Sequence, residues 1–352
     1  MVLGRRLVLL VGLLALFVCV VTTEKQAEAA WSCTGTHIDS QDPSRRDLDA
    51  IINNDSSTKA TTFCVHAGTY QVSQVARLKT GDKLEGEPPG AQPVKVGPAT
   101  KPAPVVFLKG SGTDTLLSAL GANISIKWVD LSGASGTGRG AGAIAAGSAD
   151  SNFVVQYARI HNNDCLGISN AKGHILDSEF FSNSQVGACI GVNGSAIKGI
   201  TQFEAGNLYV HDEQGNGIWC DVGCKESAGD FYVHDSVVVG SGRAGIRYEN
   251  SPTGAVIANN WIHGNGVAER RGGVDIRDSQ NALVTGNVFG AATIDGKSYP
   301  VNKDKIGVRA TDSGRSDRVN LAGVQIRNNF MRTEGIKGCE LPDTIVACSG
   351  NQ

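Results

Sequence analysis

A short strand phrase recurs along the chain: a glycine, then an apolar residue, then alternating polar and apolar residues. It occurs at Gly217–Asp221 and Gly245–Glu249, and the apolar anchors Ile218, Ile246 and Val274 follow one another at intervals of 28 residues. Ile168, Ile190 and Val308 are predicted as further anchors, and an insertion from Val192 to Gly206 is predicted to enlarge one coil. Such alternation is typical of a β-strand with two different faces. No helix-length apolar pattern lies between the strands. We therefore predict an all-β fold, a right-handed parallel β-helix with about three short strands in each coil.

The chain is expected to begin with a secretory signal. Arg5 and Arg6 give a basic start, the apolar run from Leu7 to Val21 is short for a membrane span, and a small-x-small cleavage site follows. An uncleaved anchor is the alternative. We predict four segments: residues 1–29 as signal peptide, 30–60 as N-terminal cap, 61–335 as parallel β-helix, and 336–352 as C-terminal tail.

The N-terminal cap is predicted to contain a short amphipathic helix from Ser44 to Asn54. Ser44 is its expected N-cap, and Leu48, Ile51 and Ile52 form one apolar stripe. An open solenoid end exposes apolar coil interior and unpaired strand edges, so a helix here is suited to cover it. The formal net charge of −2 gives no reason to expect a nucleic acid as partner.

Eight of the nine cysteines remain after signal cleavage, an even number that favours disulfides in an exported protein. Sequence alone does not fix the connectivity. Proximity along the chain suggests Cys33–Cys64, Cys165–Cys189, Cys220–Cys224 and Cys339–Cys348. A zinc site that includes Cys220 and Cys224 is the alternative for the third pair, although no histidine or second cysteine pair lies at ligand spacing. We expect a secreted or cell-surface monomer.

The segments Thr62–Tyr70, Gly217–Asp221 and Gly245–Ser251, together with repeated Asn-x-Ile-x-x-Asn phrases, resemble exported bacterial right-handed β-helix proteins of the pectin-lyase-like superfamily. The resemblance covers about residues 60–335. It implies a carbohydrate groove on the outer face of one sheet. It does not supply catalytic residues, because the chain lacks the Asp-Pro-His-Glu phrase of alginate epimerases. It also lacks the Gly-His-Gly and Arg-Ile-Lys phrases of polygalacturonases.

Candidate site residues therefore come from stacking the repeated strands in register. Asp221 and Glu249 should then be neighbours, and paired carboxylates suit general acid–base catalysis. Arg277 is the third predicted catalytic residue, because an arginine can neutralise a uronate or act as the base in β-elimination. The predicted substrate-binding residues are the outward neighbours of these three: Trp219, Arg247, Asp275 and Arg309.

Two functions fit these residues. The first is a polysaccharide lyase or glycoside hydrolase that acts on an acidic glycan, and the second is a non-catalytic glycan-binding or cell-surface module. Stacked carboxylates can also hold Ca²⁺, while the structural alternative is a solvated salt-bridge ladder. As exposed charges, Asp221 and Glu249 should contribute little to stability. The histidines His161, His211 and His263 are a weaker alternative, as acids at the edge of the groove.

Overall fold

The computed structural model describes residues 31–138, 140–147, 152–185, 189, 194–221, 231–268, 271–301, 305–332, 337–340 and 346–351. The predicted signal peptide, Ile190 and Cys224 lie outside these residues. Within the unit Ser32–Gln352, nearly all strands pair in parallel with strands of the coils before and after. The fold is a parallel β-helix, as predicted from the repeat, and each complete coil contributes one strand to each of three ladders.

Ladder 1 holds the strands that begin with the glycine–apolar phrase, and ladder 2 holds the strands that follow them along the chain. The two are joined because β15 and β17 run through both without a break. Their strands are β1 (Thr36–Ile38), β2 (Thr62–Val65), β4 (Ala76–Arg77), β5 (Lys83–Gly86), β9 (Thr115–Ala119), β10 (Ser125–Lys127), β12 (Gly142–Ala146), β13 (Phe153–Gln156), β15 (Leu166–Leu176), β17 (Ser195–Gly206), β19 (Asn216–Cys220), β20 (Phe231–His234), β22 (Ile246–Glu249), β23 (Ala255–Ala258), β25 (Val274–Arg277), β26 (Ala282–Thr285), β30 (Ile306–Thr311), β31 (Val324–Arg327), β33 (Lys337–Glu340) and β34 (Val346–Ser349).

Ladder 3 is a separate parallel sheet that completes each coil. Its strands are β3 (Gly68–Val72), β8 (Val106–Gly110), β11 (Val129–Ser132), β14 (Arg159–His161), β16 (Glu179–Phe181), β18 (Tyr209–His211), β21 (Val237–Val239), β24 (Trp261–His263), β27 (Val288–Gly290) and β32 (Phe330–Met331). Two antiparallel hairpins are inserted between coils, β6 (Val94–Val96) with β7 (Ala99–Lys101) and β28 (Ala292–Ile294) with β29 (Lys297–Tyr299).

The paired strands extend beyond the predicted β-helix segment at both ends. Strand β1, in the predicted cap, pairs with β2, and β33 and β34, in the predicted tail, pair with β30 and β31. Residues 61 and 335 are therefore too narrow as limits of the repeat. Strands β1 and β34 carry no glycine–apolar phrase, whereas β33 carries a short one, in which Cys339 follows Gly338 and pairs with the anchor Val308.

The N-terminal helix α1 comprises Leu48–Asn53, which is shorter than the predicted Ser44–Asn54. Its N-cap is Asp47, so Ser44 does not cap it. The Asp42 carboxylate accepts hydrogen bonds from both the backbone N–H and the hydroxyl of Ser44 and holds that residue in the preceding turn. Leu48 and Ile52 are buried in the core. The role of this helix as a cap stays a prediction.

The inward side chains of successive coils form one apolar core. Ile218 lies opposite Ile246, Ile246 opposite Val274, and Val274 opposite Val308, and all four are fully buried. Stacking of this kind is required because one coil is too small to bury its own apolar face. The core is thus continuous along the repeat, as the anchor spacing predicts.

One coil differs from the predicted register. Ile197 of β17 pairs with Ile168 upstream and with Ile218 downstream, and it is the anchor that the sequence analysis assigned to Ile190. Residues 195–206 of the predicted insertion are therefore strand. The glycine–apolar rule misses β17 because Ala196, and not glycine, precedes its anchor.

The turn from ladder 2 to ladder 3 passes through a single residue with positive φ in eight of the described coils. Trp128 and Tyr157 occupy it in two of them. Glycine, asparagine and aspartate tolerate this left-handed conformation best, and they occupy it in the other six: Asp177, Asn207, Asp235, Asn259, Gly286 and Asn328. Each is followed by a buried residue at the start of the next strand. The frequent Asn and Asp between strands therefore have a structural function.

A column of buried asparagines ties these turns together. The Asn287 side chain donates to the carbonyl of Ile257 and to Oδ1 of Asn329, and its own Oδ1 accepts from the backbone N–H of Asn260. Asn329 continues the column to Asn351. These bonds satisfy backbone groups that would otherwise be buried without partners.

Three of the predicted disulfides are present: Cys33–Cys64, Cys165–Cys189 and Cys339–Cys348. Cys220 is also bonded in a disulfide, so its thiolate is not available as a zinc ligand. Its predicted partner, Cys224, lies outside the described residues. Disulfides are typical of proteins in oxidising compartments. No helix in the described part of the chain is long and apolar enough to cross a membrane.

Replacing Asn287 by alanine should destabilise the protein strongly. The change removes the acceptor of the buried Asn260 backbone N–H and the side-chain donor to the Ile257 carbonyl, and the expected loss is about 2–4 kcal/mol. Asn152→Ala is the matched control, because Asn152 is exposed and bonds only to another exposed amide. Chemical denaturation followed by circular dichroism measures both. Equal losses in the two variants would contradict the structural role of the asparagine column.

Candidate functional site

The outward face of ladder 1 carries charged and aromatic side chains in register. Trp219 lies opposite Arg247, Arg247 opposite Asp275, and Asp275 opposite Arg309. The stacking that the sequence predicts for these four residues is confirmed. Lys198 extends the column upstream, opposite Trp219.

Two cations from neighbouring strands lie over the Trp219 ring. The Lys198 ammonium is 4.4 Å from the ring centroid, and the Arg247 guanidinium is 5.7 Å from it. Both distances fall within the range of a cation–π interaction. Lys198 Nζ also lies 3.2 Å from Oδ2 of Asp221. The ring therefore helps to hold two charged side chains in fixed positions.

Arg247 is the centre of an ion-pair network. Its Nη2 lies 2.8 Å from Oε1 of Glu249, and its Nε lies 3.7 Å from Oδ2 of Asp275. Arg271 approaches the same Asp275 oxygen, with its Nη1 at 3.6 Å. Each carboxylate is thus close to at least one guanidinium, and the opposite charges largely compensate one another.

The expectation that these side chains are exposed is wrong for four of them. Trp219, Arg247, Glu249 and Asp275 are only 3–8% exposed. Adjacent strands lie about 4.8 Å apart, so large outward side chains cover one another when they are in register. Removing one partner of a buried ion pair lowers the free energy of unfolding, because the other charge stays buried without compensation. Glu249→Gln is therefore expected to lower stability, contrary to the prediction made for a surface charge.

The predicted acid pair Asp221 and Glu249 is held as two ion pairs. Asp221 follows the last paired residue of β19, Cys220, and its carboxylate is bound to Lys198. Glu249 is bound to Arg247 and lies opposite Arg277 across the ladder. Calcium is held by several converging oxygen ligands, whereas each of these two carboxylates is paired with a cation, and Ca²⁺ binding stays a prediction. Within the described residues, no three His, Cys, Asp or Glu side chains are grouped suitably for a metal ion.

A pocket of about 410 Å³ opens at the downstream part of the column. Arg277, predicted from sequence, is half-exposed there, with its Nε 3.6 Å from Oδ2 of Asp278. Asp275 forms part of the wall. The complete lining is Arg271, Asp275, Arg277, Arg309, Thr311, Asp312 and Ser313. Of the seven predicted site residues, three line this pocket, while Trp219, Arg247 and Glu249 lie behind it in the network.

Burial raises the pKa of Asp275 to about 6, against the attraction of Arg247 and Arg309. A carboxyl group with this pKa exchanges its proton near neutral pH. A general acid needs a pKa close to the pH at which it works, and the raised pKa of Asp275 meets this need. From the sequence, Asp275 is predicted only as a substrate-binding residue, because burial cannot be deduced from register alone.

A second charged network lies on the outer face of ladder 3. Nε2 of His161 lies 2.9 Å from Oδ1 of Asp130, and Arg159 lies 3.3 Å from the other Asp130 oxygen. Arg159 continues to Glu179, at 2.7 Å, and Glu179 lies 3.2 Å from Nε2 of His211. Asp130 and Glu179 are buried. These ion pairs therefore hold charges in a setting with little water.

Within this network, His211 is biased toward its charged form. Burial opposes charge on His211, yet its contacts with Asp212 and Glu179 raise its pKa. Burial likewise opposes charge on Glu179, yet His211 and Arg159 lower its pKa. His263 differs, because burial lowers its pKa to about 4 and its Nδ1 contacts the carbonyl of Gly290.

The two histidines of this network are candidates from the sequence, whereas their carboxylate and arginine partners are not. His161 and His211 lie two strands apart, with the Phe181 ring stacked between them. Asp130, Arg159 and Glu179 each precede an inward apolar residue by one position in ladder 3. Reading those outward positions as a column, as was done for ladder 1, would have found them.

No family model matches the chain, and no curated protein is similar to it at a significant level. Among solved structures, the catalytic domain of a GH87 alpha-1,3-glucanase, in complex with tetrasaccharides, matches at 12% identity and a TM-score of 0.51. That match covers 92% of this chain and 67% of the other. The chain shares the parallel β-helix fold with this structure.

Two further structures match at lower TM-scores. An alginate lyase from Paenibacillus sp. str. FPU-7 is 14% identical, with 87% of this chain and 96% of the other covered and a TM-score of 0.43. The A-module of the Azotobacter vinelandii mannuronan C-5 epimerase AlgE6 is 12% identical, with 87% and 94% covered and a TM-score of 0.41.

The raised pKa of Asp275 predicts a specific pH dependence of stability. Folded Asp275 keeps its proton up to about pH 6, whereas the unfolded group loses it near 3.8. The folded state binds the extra proton between these values, so this group's contribution to stability falls as pH rises through that window. Asp275→Asn should remove this fall, which denaturation midpoints at several pH values would show.

Asp312→Asn is the matched control for that measurement. Hydrogen bonds from the backbone of Gly314 and Leu321 lower the pKa of Asp312. Its contribution to stability should therefore be lost as pH falls, the opposite sign to Asp275. If the Asp275 variant shows the same pH profile as the wild type, the carboxyl is not held at a raised pKa.

Proposed function

We propose that this chain is an exported carbohydrate-active protein that binds an acidic polysaccharide in the ladder 1 pocket and cleaves it. The observation that carries the proposal is the lining of that pocket: Arg271, Arg277 and Arg309 stand around Asp275. Guanidinium groups bind carboxylates by paired, charge-assisted hydrogen bonds. An acidic glycan presents one carboxylate for each uronate unit, which suits a pocket with several arginines.

The residues divide into two roles. Arg277 and Arg309 bind the sugar carboxylates, and Asp275 gives a proton to the glycosidic oxygen as the bond breaks. In a hydrolase a water molecule forms the new bond to the anomeric carbon, and in a lyase the C5 proton is removed as the C4–O bond breaks. Asp312, which also lines the pocket, is the carboxylate that accepts the proton in either case. Trp219, Arg247 and Glu249 hold Asp275 in place through the network behind the pocket, and Asp221 fixes Lys198 in the same network. The original assignment of Asp221 and Glu249 as the catalytic pair is thus replaced by positioning roles.

Two observations from the fold support a carbohydrate ligand. The GH87 glucanase that shares this fold was solved with tetrasaccharides bound. The disulfides are typical of exported proteins. An exported protein has access to extracellular polysaccharides. The alternative is a non-catalytic glycan-binding module on the same scaffold, which the burial of the network also allows.

Arg277→Ala should weaken binding of an acidic polysaccharide such as polygalacturonate or alginate by about tenfold or more. The reason is the loss of one charge-assisted contact, which is worth about 1.5–3 kcal/mol. Arg327→Ala is the control, since Arg327 is exposed on ladder 2. Affinity electrophoresis at two salt concentrations, with a neutral glucan as reference, measures binding. Unchanged affinity in Arg277→Ala would contradict the proposal.

Asp275→Asn should reduce cleavage by about 10²-fold or more while binding is retained, because it removes the proton donor and keeps the shape. Reducing-sugar release detects either type of cleavage, and ultraviolet absorbance of an unsaturated product distinguishes a lyase from a hydrolase. If the wild type binds an acidic polysaccharide and never cleaves it, the binding-module alternative replaces the enzyme. Full activity in Asp275→Asn would exclude Asp275 as the acid.

A further inference from the structure

The outward face of ladder 3 changes from exposed to buried along the repeat. At its start, Thr69, Gln71 and Lys109 are exposed. Further along, Tyr209 and Val239 are buried although they also point outward. The outward face of ladder 3 is thus exposed to solvent at its first strands and covered at its later strands.

The two inserted hairpins, β6–β7 and β28–β29, provide this cover, and we call them together the double hairpin. Val96 and Ala99 of the first, and Ile294 and Tyr299 of the second, form one apolar cluster with Tyr209. Gly97 allows the close approach, because a Cβ there would lie 2.7 Å from the Trp261 ring. The double hairpin is therefore packed on the ladder and is not an open loop.

Charged contacts fasten the double hairpin at its edge. Lys101 of the first hairpin forms an ion pair with Asp295 of the second, and its Nζ lies 4.0 Å from Glu179 on ladder 3. Lys297 of the second hairpin lies 2.6 Å from Asp212. Because Glu179 also binds Arg159, the double hairpin reaches the strand next to the open part of the ladder.

A pocket of about 490 Å³ lies in that open part. Its volume is within the range of about 300–1,000 Å³ that small-molecule sites occupy. The lining residues come from β8, β11 and β14 and the turns after them, and the chemically active ones are Phe107, Lys109, Asp130, Arg159, His161 and Asn162. None of these residues belongs to the ladder 1 pocket.

The floor of the pocket is fixed before any ligand arrives. Both oxygens of Asp130 are engaged, one by His161 and one by Arg159. Nδ1 of His161 accepts from the Asn162 side chain at 2.9 Å. Such pre-organisation lowers the cost of ordering side chains on binding.

The rim supplies a cation and an aromatic ring. Lys109 is exposed, and no ion pair or side-chain hydrogen bond engages its ammonium group in the part of the chain that the structure describes. Phe107 is half-buried and lies opposite Asp130. The ammonium of Lys109 and the guanidinium of Arg159 both line the pocket and attract an anionic group, and an aromatic face packs against the apolar side of a sugar ring.

We propose that this pocket is a second glycan site, which binds the end of an oligosaccharide that carries an anionic group. The double hairpin decides the end-specificity, because a chain that runs along ladder 3 meets it directly beyond Glu179. The anionic group lies against Lys109 and Arg159, and the terminal ring packs on Phe107. This inference goes beyond the proposed function, since it concerns a different ladder and shares no residue with the ladder 1 pocket.

The test uses the full chain carrying Arg277→Ala, so that the ladder 1 pocket contributes little to binding. Galacturonate and mannuronate trisaccharides, hexasaccharides and long polymers are titrated by calorimetry. Binding to an end gives one protein per chain at every length, with similar affinity per chain. Several proteins bound along each long polymer would overturn the proposal, because internal binding needs an open groove.

A charge reversal at the rim tests the residues. Lys109→Glu should weaken trisaccharide binding by about tenfold or more, since it replaces an attractive contact by a repulsive one. Lys83→Glu is the control, because Lys83 is also exposed on a strand and changes the net charge equally. Circular dichroism checks that both variants fold. Equal affinity of Lys109→Glu and Lys83→Glu would contradict the assignment.

The two sites can fail independently. If Arg277→Ala leaves binding intact in an otherwise wild-type chain while Lys109→Glu removes it, the ladder 1 proposal fails and the end-binding site stands. If only Arg277→Ala removes binding, the end-binding site fails. Both single variants are therefore measured beside the double variant with the same trisaccharide.

Discussion

Parallel pairing between successive coils is the constraint on which the rest of this structure depends. A coil of about 28 residues cannot enclose its own apolar side chains, so each coil is stable only against its neighbours. Pairing fixes Ile246 between Ile218 and Val274 and thereby sets the position of every other residue in the coil. The buried asparagines also hold successive coils together, because they connect the turns of adjacent coils where backbone pairing is interrupted.

The same spacing also sets the electrostatics of the surface. Strands that lie about 4.8 Å apart bring outward charges into direct contact, so a column is tolerated only if unlike charges alternate or an aromatic ring separates them. Ladder 1 does both, with Trp219 between Lys198 and Arg247 and with Asp275 between Arg247 and Arg309. Ladder 3 repeats the arrangement with Asp130, Arg159 and Glu179.

The outward faces of ladder 1 and ladder 3 differ in which parts of them are covered by other segments of the chain. Ladder 1 keeps its pocket at the downstream part of a buried ion-pair network, whereas ladder 3 has an open part and a part sealed by the double hairpin. The hairpins are insertions in the repeat, and insertions of this kind cost little when their ends lie close together. A regular scaffold thus gains different surfaces at little cost to its core.

Much of the fold could be predicted from the sequence, because every coil of a periodic fold requires the same alternation of inward apolar and outward polar residues. The anchors, the register of Trp219, Arg247, Asp275 and Arg309, and three disulfides all follow from local patterns and spacing. Non-local packing decided the remainder: Ile197 took the place predicted for Ile190, and the end strands joined the repeat. Burial of Asp275 and the ladder 3 pocket likewise depend on which side chains cover a position. A sequence specifies which face a residue occupies, but only the tertiary structure determines what lies on top of it.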